Sequence, residues 1–214
     1  MDAKISIHSN YIALLQLKKE TTDKEIIFIE SSPCVTEVIL NNKKKMNFLT
    51  LNMLYTVLDK LKEWRHSPEK APRAIIMSGA GDIAFCSGGD MRGLYDGNIG
   101  IKPKHFQPTF TGTLYRMDYA LATMPTIHIA IWNGYVFGSG AGICMRADFT
   151  IATDSTEWAM PECVAGFSVD NGASRFFAHL RNDDISLGLY LAVTGQRVAG
   201  KNLLKWGICT HFVR

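Results

Sequence analysis

A chain of 214 residues, 47% hydrophobic and 20% charged, has the length and composition of one globular domain or two small ones with a buried core. A formal charge of +3, with Lys43-Lys44-Lys45 as its one tight basic run, does not point to nucleic acid. Five cysteines (Cys34, Cys86, Cys144, Cys163, Cys209) without a Cys-x-x-Cys pair argue against a disulfide framework or a zinc knuckle, and no apolar run reaches the roughly 18–20 residues of a bilayer span.

Met1–Asp23 has no arginine and carries Asp2, Glu20 and Asp23, so it makes a poor transit peptide; it reads as an N-terminal extension. Lys24–Ile29 and Val35–Leu40 are β-rich runs parted by Ser31-Ser32-Pro33, as in a hairpin. After Asn41-Asn42, Thr50 has the chemistry of an N-cap. Leu51, Leu54, Val57, Leu58, Leu61 and Trp64 then recur at helical spacing. Pro68 and Pro72 end that helix, and Ala74–Met77 is a short apolar strand broken by Gly79-Ala80-Gly81. Phe85–Asp90 is a glycine turn, Met91–Tyr95 opens a short helix, and Asp96–Gln107, with Gly97, Gly100 and Pro103, has the composition of a mobile loop. Leu114–Ala122 is helical in pattern, and Thr126–Trp132 is the strongest strand. Asn133-Gly134 turns the chain into a small-residue helix over Gly138–Met145. A strand at Phe149–Ala152, helices at Ala173–Leu180, Ile185–Val193 and Lys201–Lys205, and a strand at Cys209–Val213 complete it. The alternation predicts an α/β domain with largely buried strands, without linker or internal repeat.

Two glycine-rich turns each follow an apolar strand: Cys86-Ser87-Gly88-Gly89-Asp90 and Gly138-Ser139-Gly140-Ala141-Gly142. Glycine lets backbone N–H groups approach a ligand, and one N–H from each turn aimed at a common point would polarise a carbonyl. The alternative is that these glycines only permit close helix–sheet packing. Ile143 leaves the dinucleotide fingerprint incomplete, and Phe137 and Ala141 rule out a nucleophile elbow on Ser139. Cys86 has no histidine placed by sequence to activate it and reads as a buried thiol; His128, inside an apolar strand, reads as a hydrogen-bonded core histidine. The acids remain. Glu162 and Asp170 lie in an otherwise apolar stretch, Ala159–Gly172, whose burial would raise their pKa values and suit them to proton transfer. Equally, Glu162 could cap a turn after Pro161 and Asp170 could be an N-cap.

In the order of its motifs the chain resembles the enoyl-CoA hydratase/isomerase (crotonase) superfamily, and within it the 3-hydroxyisobutyryl-CoA hydrolase family. The matching stretches are Asn41–Leu49, Ala84–Arg92, Asn133–Gly142, Phe149–Phe167, Leu191–Val198 and Gly207–Val213, so the resemblance covers about residues 24–214. It implies a ββα superhelical core and homo-oligomers, trimers or hexamers. It also implies a mitochondrial matrix location and a coenzyme A thioester substrate, with no other cofactor and no metal. The thioester carbonyl would lie between the N–H groups of Gly89 and Ser139. Lys45, Met46 and Ser87 match segments that hold the adenine end, and Gly88, Asp90 and Gly138 complete the substrate-binding turns. The hydratase branch carries glutamate where this chain has Gly142. The hydrolase branch keeps glycine there and uses acids matching Glu162, as nucleophile or activator of water, and Asp170, which positions the hydroxyl end and shuttles protons.

The chain departs from that pattern in several places. Ser139 replaces a glycine, Ser168–Ser174 replaces a run richer in proline and glycine, and an acidic residue expected in the helix near Leu114–Met117 is missing. Relatives continue past Val213 into a helical region, so the resemblance implies a fragment, a short form or completion by another chain. Two other readings follow: an inactive structural subunit of a larger assembly such as a mitochondrial ribosome, and a hydratase or isomerase.

Overall fold

The computed structural model describes residues 24–180 and 185–214. The extension over Met1–Asp23 lies outside the described residues. The chain opens with an antiparallel pair, β1 (Ile26–Ser32) and β2 (Val35–Leu40). It turns at Pro33-Cys34, so β1 runs through two residues expected in the turn; a register irregularity between Glu30 and Ser32 accommodates them. Helix α1 (Leu51–His66) follows the predicted spacing. Thr50 caps it, its hydroxyl accepting the Met53 N–H at 3.1 Å, while Met53, Leu54, Val57, Leu58, Leu61 and Trp64 are buried.

Beyond α1 the chain winds through a recurring strand–strand–helix unit. β3 (Ala74–Gly79) enters a large sheet, β4 (Ala84–Cys86) a small one, and α2 (Met91–Asn98) and α3 (Phe106–Thr123) follow. β5 (Ile127–Trp132), β6 (Tyr135–Phe137) and the single turn α4 (Ser139–Gly142) repeat the pattern. So do β7 (Phe149–Thr153), β8 (Glu157–Ala159), α5 (Ala173–Ala178) and α6 (Ile185–Thr194). The large sheet has the order β1-β2-β3-β5-β7-β10, parallel from β2 onward, with β10 (His211–Val213) at its edge. The small sheet runs β4-β6-β8-β9; β9 (Val198–Ala199) is antiparallel to β8, and α7 (Asn202–Lys205) follows it. This is the ββα superhelix that the resemblance implied. The sequence shows no internal repeat because what recurs is the path of the chain, not its side chains.

Three expectations need correction. The Asp96–Gln107 segment is helical at both ends: α2 reaches Asn98, and α3 begins at Phe106, eight residues before the pattern suggested. Pro108 is tolerated because the first helical turn has no intrahelical use for its N–H, and Phe106 stacks on Phe110 with centroids 6.2 Å apart. The Gly138–Met145 helix shrinks to Ser139–Gly142, as its glycines disfavour a longer one. Finally, β5 and β7 of the large sheet are buried on one face only, whereas β2 is buried on both at Val38, Ile39 and Leu40. His128, Ala130 and Trp132 point inward, whereas Ile127 and Ile131, with Phe149 and Val213 on neighbouring strands, are 37–52% exposed; nothing among the described residues covers that face.

Asn47 links the turn after β2 to the small sheet. It adopts a left-handed conformation (φ 54°) and is 1% exposed. Its amide donates to the carbonyls of Ala80 (3.0 Å) and Ala84 (2.8 Å), and its side-chain oxygen accepts the Asn42 N–H (2.9 Å). Asn47→Ala is expected to lower unfolding stability by about 3 kcal/mol, since it leaves buried backbone groups without partners. Urea denaturation should show a lower midpoint with an unchanged slope.

Candidate active site

Three strands of the small sheet run parallel and in step: Cys86 is level with Val136, and Phe137 with Ala159. Whatever follows each strand therefore emerges at the same end. After β4 comes Ser87-Gly88-Gly89, after β6 Gly138-Ser139, and after β8 Met160-Pro161-Glu162. The parallel register brings together segments some 50 and 75 residues apart. Strands of three residues are too short to announce themselves by alternation, which is why β6 and β8 escaped the sequence pattern.

These segments line a pocket of about 140 Å³, closed by Leu114 of α3, Phe167 and Asp170. Gly88 (φ 112°) and Gly138 (φ 52°) adopt conformations that disfavour any side chain. A Cβ on Gly138 would lie 2.9 Å from Glu162 Oε1, and one on Gly89 would lie 3.4 Å from Ser139 Oγ. The N–H groups of Asp90 and Gly138 are taken by the carbonyls of Leu49 and Ala159. Those of Gly89 and Ser139 have no acceptor among the described residues. The Ser139 N–H also starts a helical turn, where backbone N–H groups lack intrahelical partners.

Glu162 opens a single 3-10 turn, Glu162–Ala165, with Oε2 buried and unbonded. Burial raises its pKa to about 7, and the charge of Asp170 adds to the rise. Asp170 is also raised by burial, while the hydroxyl of Tyr115, donating to Oδ2 at 2.9 Å, pulls the other way. Neither acid acts as the helix cap offered as the bland alternative: no side-chain cap bond is made at the 3-10 turn or at α5.

Met46, Ser87 and Asp90 line a groove beside the pocket. Ser87 donates its N–H to the Met46 carbonyl (3.0 Å), and Leu49 donates to Gly88 (2.8 Å), so the Lys45-Met46 turn is laced to the glycine turn. An open cavity of about 500 Å³ runs from Met46 and Phe48 past Ser87 and Gly89 to Arg92 and Arg197. Lys45 lies over the Phe48 ring, its Nζ 5.1 Å from the centroid. Asp90 borders the groove, but its carboxylate is engaged as the N-cap of α2, accepting the Gly93 N–H at 2.8 Å, with Lys102 Nζ at 3.6 Å.

Two residues weighed and set aside behave as buried groups. The Cys86 thiol is fully buried and its pKa is pushed up to about 12, so it holds no nucleophilic thiolate. His128 is buried and pushed down to about 4, which keeps it neutral. Its ring differs from the expected hydrogen-bonded histidine, because Nε2 has no partner among the described residues. Sequence reasoning missed Tyr115, Asp118 and Asn171. The first two stand three residues apart on α3, a spacing that puts them on one helix face. Asp118 lies one residue past the stretch searched for an acid; both its carboxyl oxygens are buried without partners, and burial and then Asp170 raise its pKa well above the ordinary value.

Gly142 is in intimate contact. A Cβ there would lie 2.4 Å from Asn171 Cβ, and Asn171 is itself buried and left-handed (φ 52°). The carboxamide of Asn171 occupies the space a side chain at 142 would need.

The family model for enoyl-CoA hydratase/isomerase matches residues 35–214. The chain belongs to that family. It is 35% identical over 218 residues to the mitochondrial 3-hydroxyisobutyryl-CoA hydrolase of Dictyostelium discoideum, covering all of this chain and 56% of that protein. With the human protein of the same name it shares 35% identity over 199 residues, 93% of this chain and 50% of the relative. The chain thus spans about half the length of the curated relatives it matches. Among solved structures, a carnitinyl-CoA dehydratase from Mycobacterium thermoresistibile superposes with a TM-score of 0.78 at 27% identity, over 89% of this chain and 54% of that one. An enoyl-CoA hydratase from Bacillus anthracis gives 0.78 at 22% identity over 89% and 70%, a likeness of fold.

Two measurements follow. Gly142→Ala is expected to destabilise by about 1–3 kcal/mol through overpacking. Adding Asn171→Gly should recover most of that loss, and a double-mutant cycle by denaturation reads the coupling. Glu162, with a folded pKa near 7 against 4.5 unfolded, binds its proton more tightly when folded. Its contribution to stability is therefore present below about 4.5 and lost as pH rises through 7. Glu162→Gln should flatten the pH dependence of the denaturation midpoint across that window.

Proposed function

We propose that this site hydrolyses the thioester of a short, branched 3-hydroxyacyl-CoA such as 3-hydroxyisobutyryl-CoA. The observation that carries the reading is the pairing of two N–H groups without acceptors, on Gly89 and Ser139, with a buried acid, Glu162, that titrates near neutrality in the same pocket. A thioester carbonyl between the two N–H groups would gain a negative oxygen as it is attacked, which fixed backbone dipoles stabilise without reorganising. Glu162 either adds to the carbonyl carbon itself or takes a proton from the attacking water. A pKa near 7 suits the second role, since base and conjugate acid are both available near neutral pH. Asp170, across the pocket, would bind the hydroxyl of the acyl chain and pass protons. The groove from Met46 to Gly89 gives the long, polar body of coenzyme A a place to lie, with Arg92 and Arg197 on its walls, and Lys45 next in the chain to Met46, as cations for its phosphates.

Hydration of an enoyl thioester by two glutamates is less well served. The second acid would stand at position 142, where glycine packs against Asn171. The names of the relatives favour hydrolysis and a mitochondrial setting, and homo-oligomeric assembly belongs to the same reading.

Release of free thiol from 3-hydroxyisobutyryl-CoA by the purified, folded chain tests the proposal. Glu162→Gln should lower kcat about 10²–10⁴-fold. A single turnover in oxygen-18 water tests the roles: label in the Glu162 carboxylate shows direct attack, because simple activation of water by Glu162 puts no label there. Turnover of enoyl-CoA in place of the hydroxyacyl thioester would overturn the reading.

A further inference from the structure

Asp170 lines two cavities. One is the pocket just described. The other, about 400 Å³, lies on the opposite side, bounded by Tyr115 and Asp118 of α3, His128 of β5, Asn171, and Arg146 and Arg175. No other described residue borders both cavities. Helix α3 forms the rest of the partition: Leu114 faces the pocket, and the next residue, Tyr115, faces the rear cavity.

The Asp170 carboxylate is therefore reached from behind by Tyr115, whose hydroxyl donates to Oδ2 at 2.9 Å, while Oδ1 receives no side-chain bond among the described residues. The Tyr115 ring is 43% exposed, so packing alone does not fix it; the hydrogen bond is its specific tie. We propose that Tyr115 is a positioning residue for the reaction proposed above, holding one oxygen of Asp170 from the rear cavity so that the other is presented to the hydroxyl end of the acyl chain. The proposal rests on the hydrolase reading for its chemistry and on the two-cavity geometry for its residue.

Every charged or titratable group facing Asp170 bears on its protonation. Tyr115 is held neutral, its pKa pushed up to about 12 by burial and by Asp170, so it is a permanent donor. Its bond favours the carboxylate and lowers the Asp170 pKa. Glu162 faces Asp170 across the pocket. Asp118 lies behind it, its pKa raised well above the ordinary carboxylate range, so below that raised value it carries its proton and adds little negative charge. His128 is neutral near pH 7, and Arg146 and Arg175 are the cations of the rear wall. Tyr115 is thus the group whose removal shifts Asp170 in one predictable direction: upward.

The test is Tyr115→Phe, read in two independent ways. Carboxyl carbon-13 NMR on the protein without substrate, with Asp170 assigned through Asp170→Asn, should show the Asp170 titration moving up by about one pH unit. In thiol-release kinetics, kcat should fall about tenfold with KM within twofold, and the low-pH limb of kcat should move to higher pH by the same amount. Tyr119→Phe removes a hydroxyl from the same helix and should move neither. An unmoved Asp170 titration in Tyr115→Phe overturns the proposal, as does a rise in KM with kcat and its pH limb unchanged. If the parent chain releases no thiol, the hydrolase reading fails, while the NMR titration still decides whether Tyr115 holds Asp170.

Discussion

The site depends on a glycine-rich backbone approaching its neighbours more closely than a Cβ allows. Gly138, Gly140 and Gly142 alternate along one turn, and each is pressed against a different neighbour. A Cβ on Gly138 would meet Glu162; on Gly140, the carbonyl and thiol of Cys86 at 2.5 and 2.8 Å; on Gly142, Asn171. The middle contact seats the α4 turn on the end of β4, so that the two glycine turns share one pocket. The outer two tie that turn to the acid in front and to the Asn171 loop behind. The Gly140 contact is the least forgiving, because the backbone carbonyl of Cys86 cannot change rotamer to relieve an overlap. Packing and access to a ligand are thus not rival explanations of these glycines: the packing fixes where the accessible N–H groups point.

Burial is the dominant electrostatic force in the site. It is the largest cause of the upward shift at Glu162, Asp170 and Asp118, and like-charge repulsion comes second at Glu162 and Asp118. Among the described residues no lysine or arginine is bridged to any of the three. An acid kept without a cation and away from water remains protonated to unusually high pH and can exchange its proton near neutrality. Asp170 departs from this pattern in receiving a side-chain hydrogen bond, from Tyr115, that Glu162 lacks.

Much of this was legible in the sequence. The helical spacing from Leu51 to Trp64, the Thr50 cap and the apolar strand at Thr126–Trp132 state their structure locally, because period and capping are properties of neighbouring residues. The two glycine turns and the acid pair were legible as chemistry. Their convergence was not: it comes from the parallel pairing of β4, β6 and β8, and pairing between distant three-residue strands leaves no local pattern. Resemblance to a family supplied that step. Asn171 and Asp118 were hidden for another reason. A buried polar side chain without a partner is visible only once its surroundings are known, and Asp118 in sequence is merely one polar residue on a helix with others. The start of α3 was hidden by Pro108, which reads as a breaker until its place in the first turn is known.

The partition around Asp170 gives the family's chemistry a local logic. A pocket of about 140 Å³ holding the proposed acyl thioester would leave little room for groups that orient its acids from within. Orientation must then come from the other side of the wall, and α3 has the period to supply it. Leu114 gives the pocket an apolar surface, the next residue turns about 100° away to donate to Asp170 from the rear, and Asp118, three residues on, places a buried carboxyl with a raised pKa behind it. The same helix buries Phe110, Leu114 and Met117 in the core, so its rotation is fixed by packing that has no part in the chemistry. The placement of the Tyr115 hydroxyl is in that sense a consequence of the hydrophobic core. A change at Met117 or Phe110 would reach the acids through the turn of the helix, without touching the pocket chemistry itself.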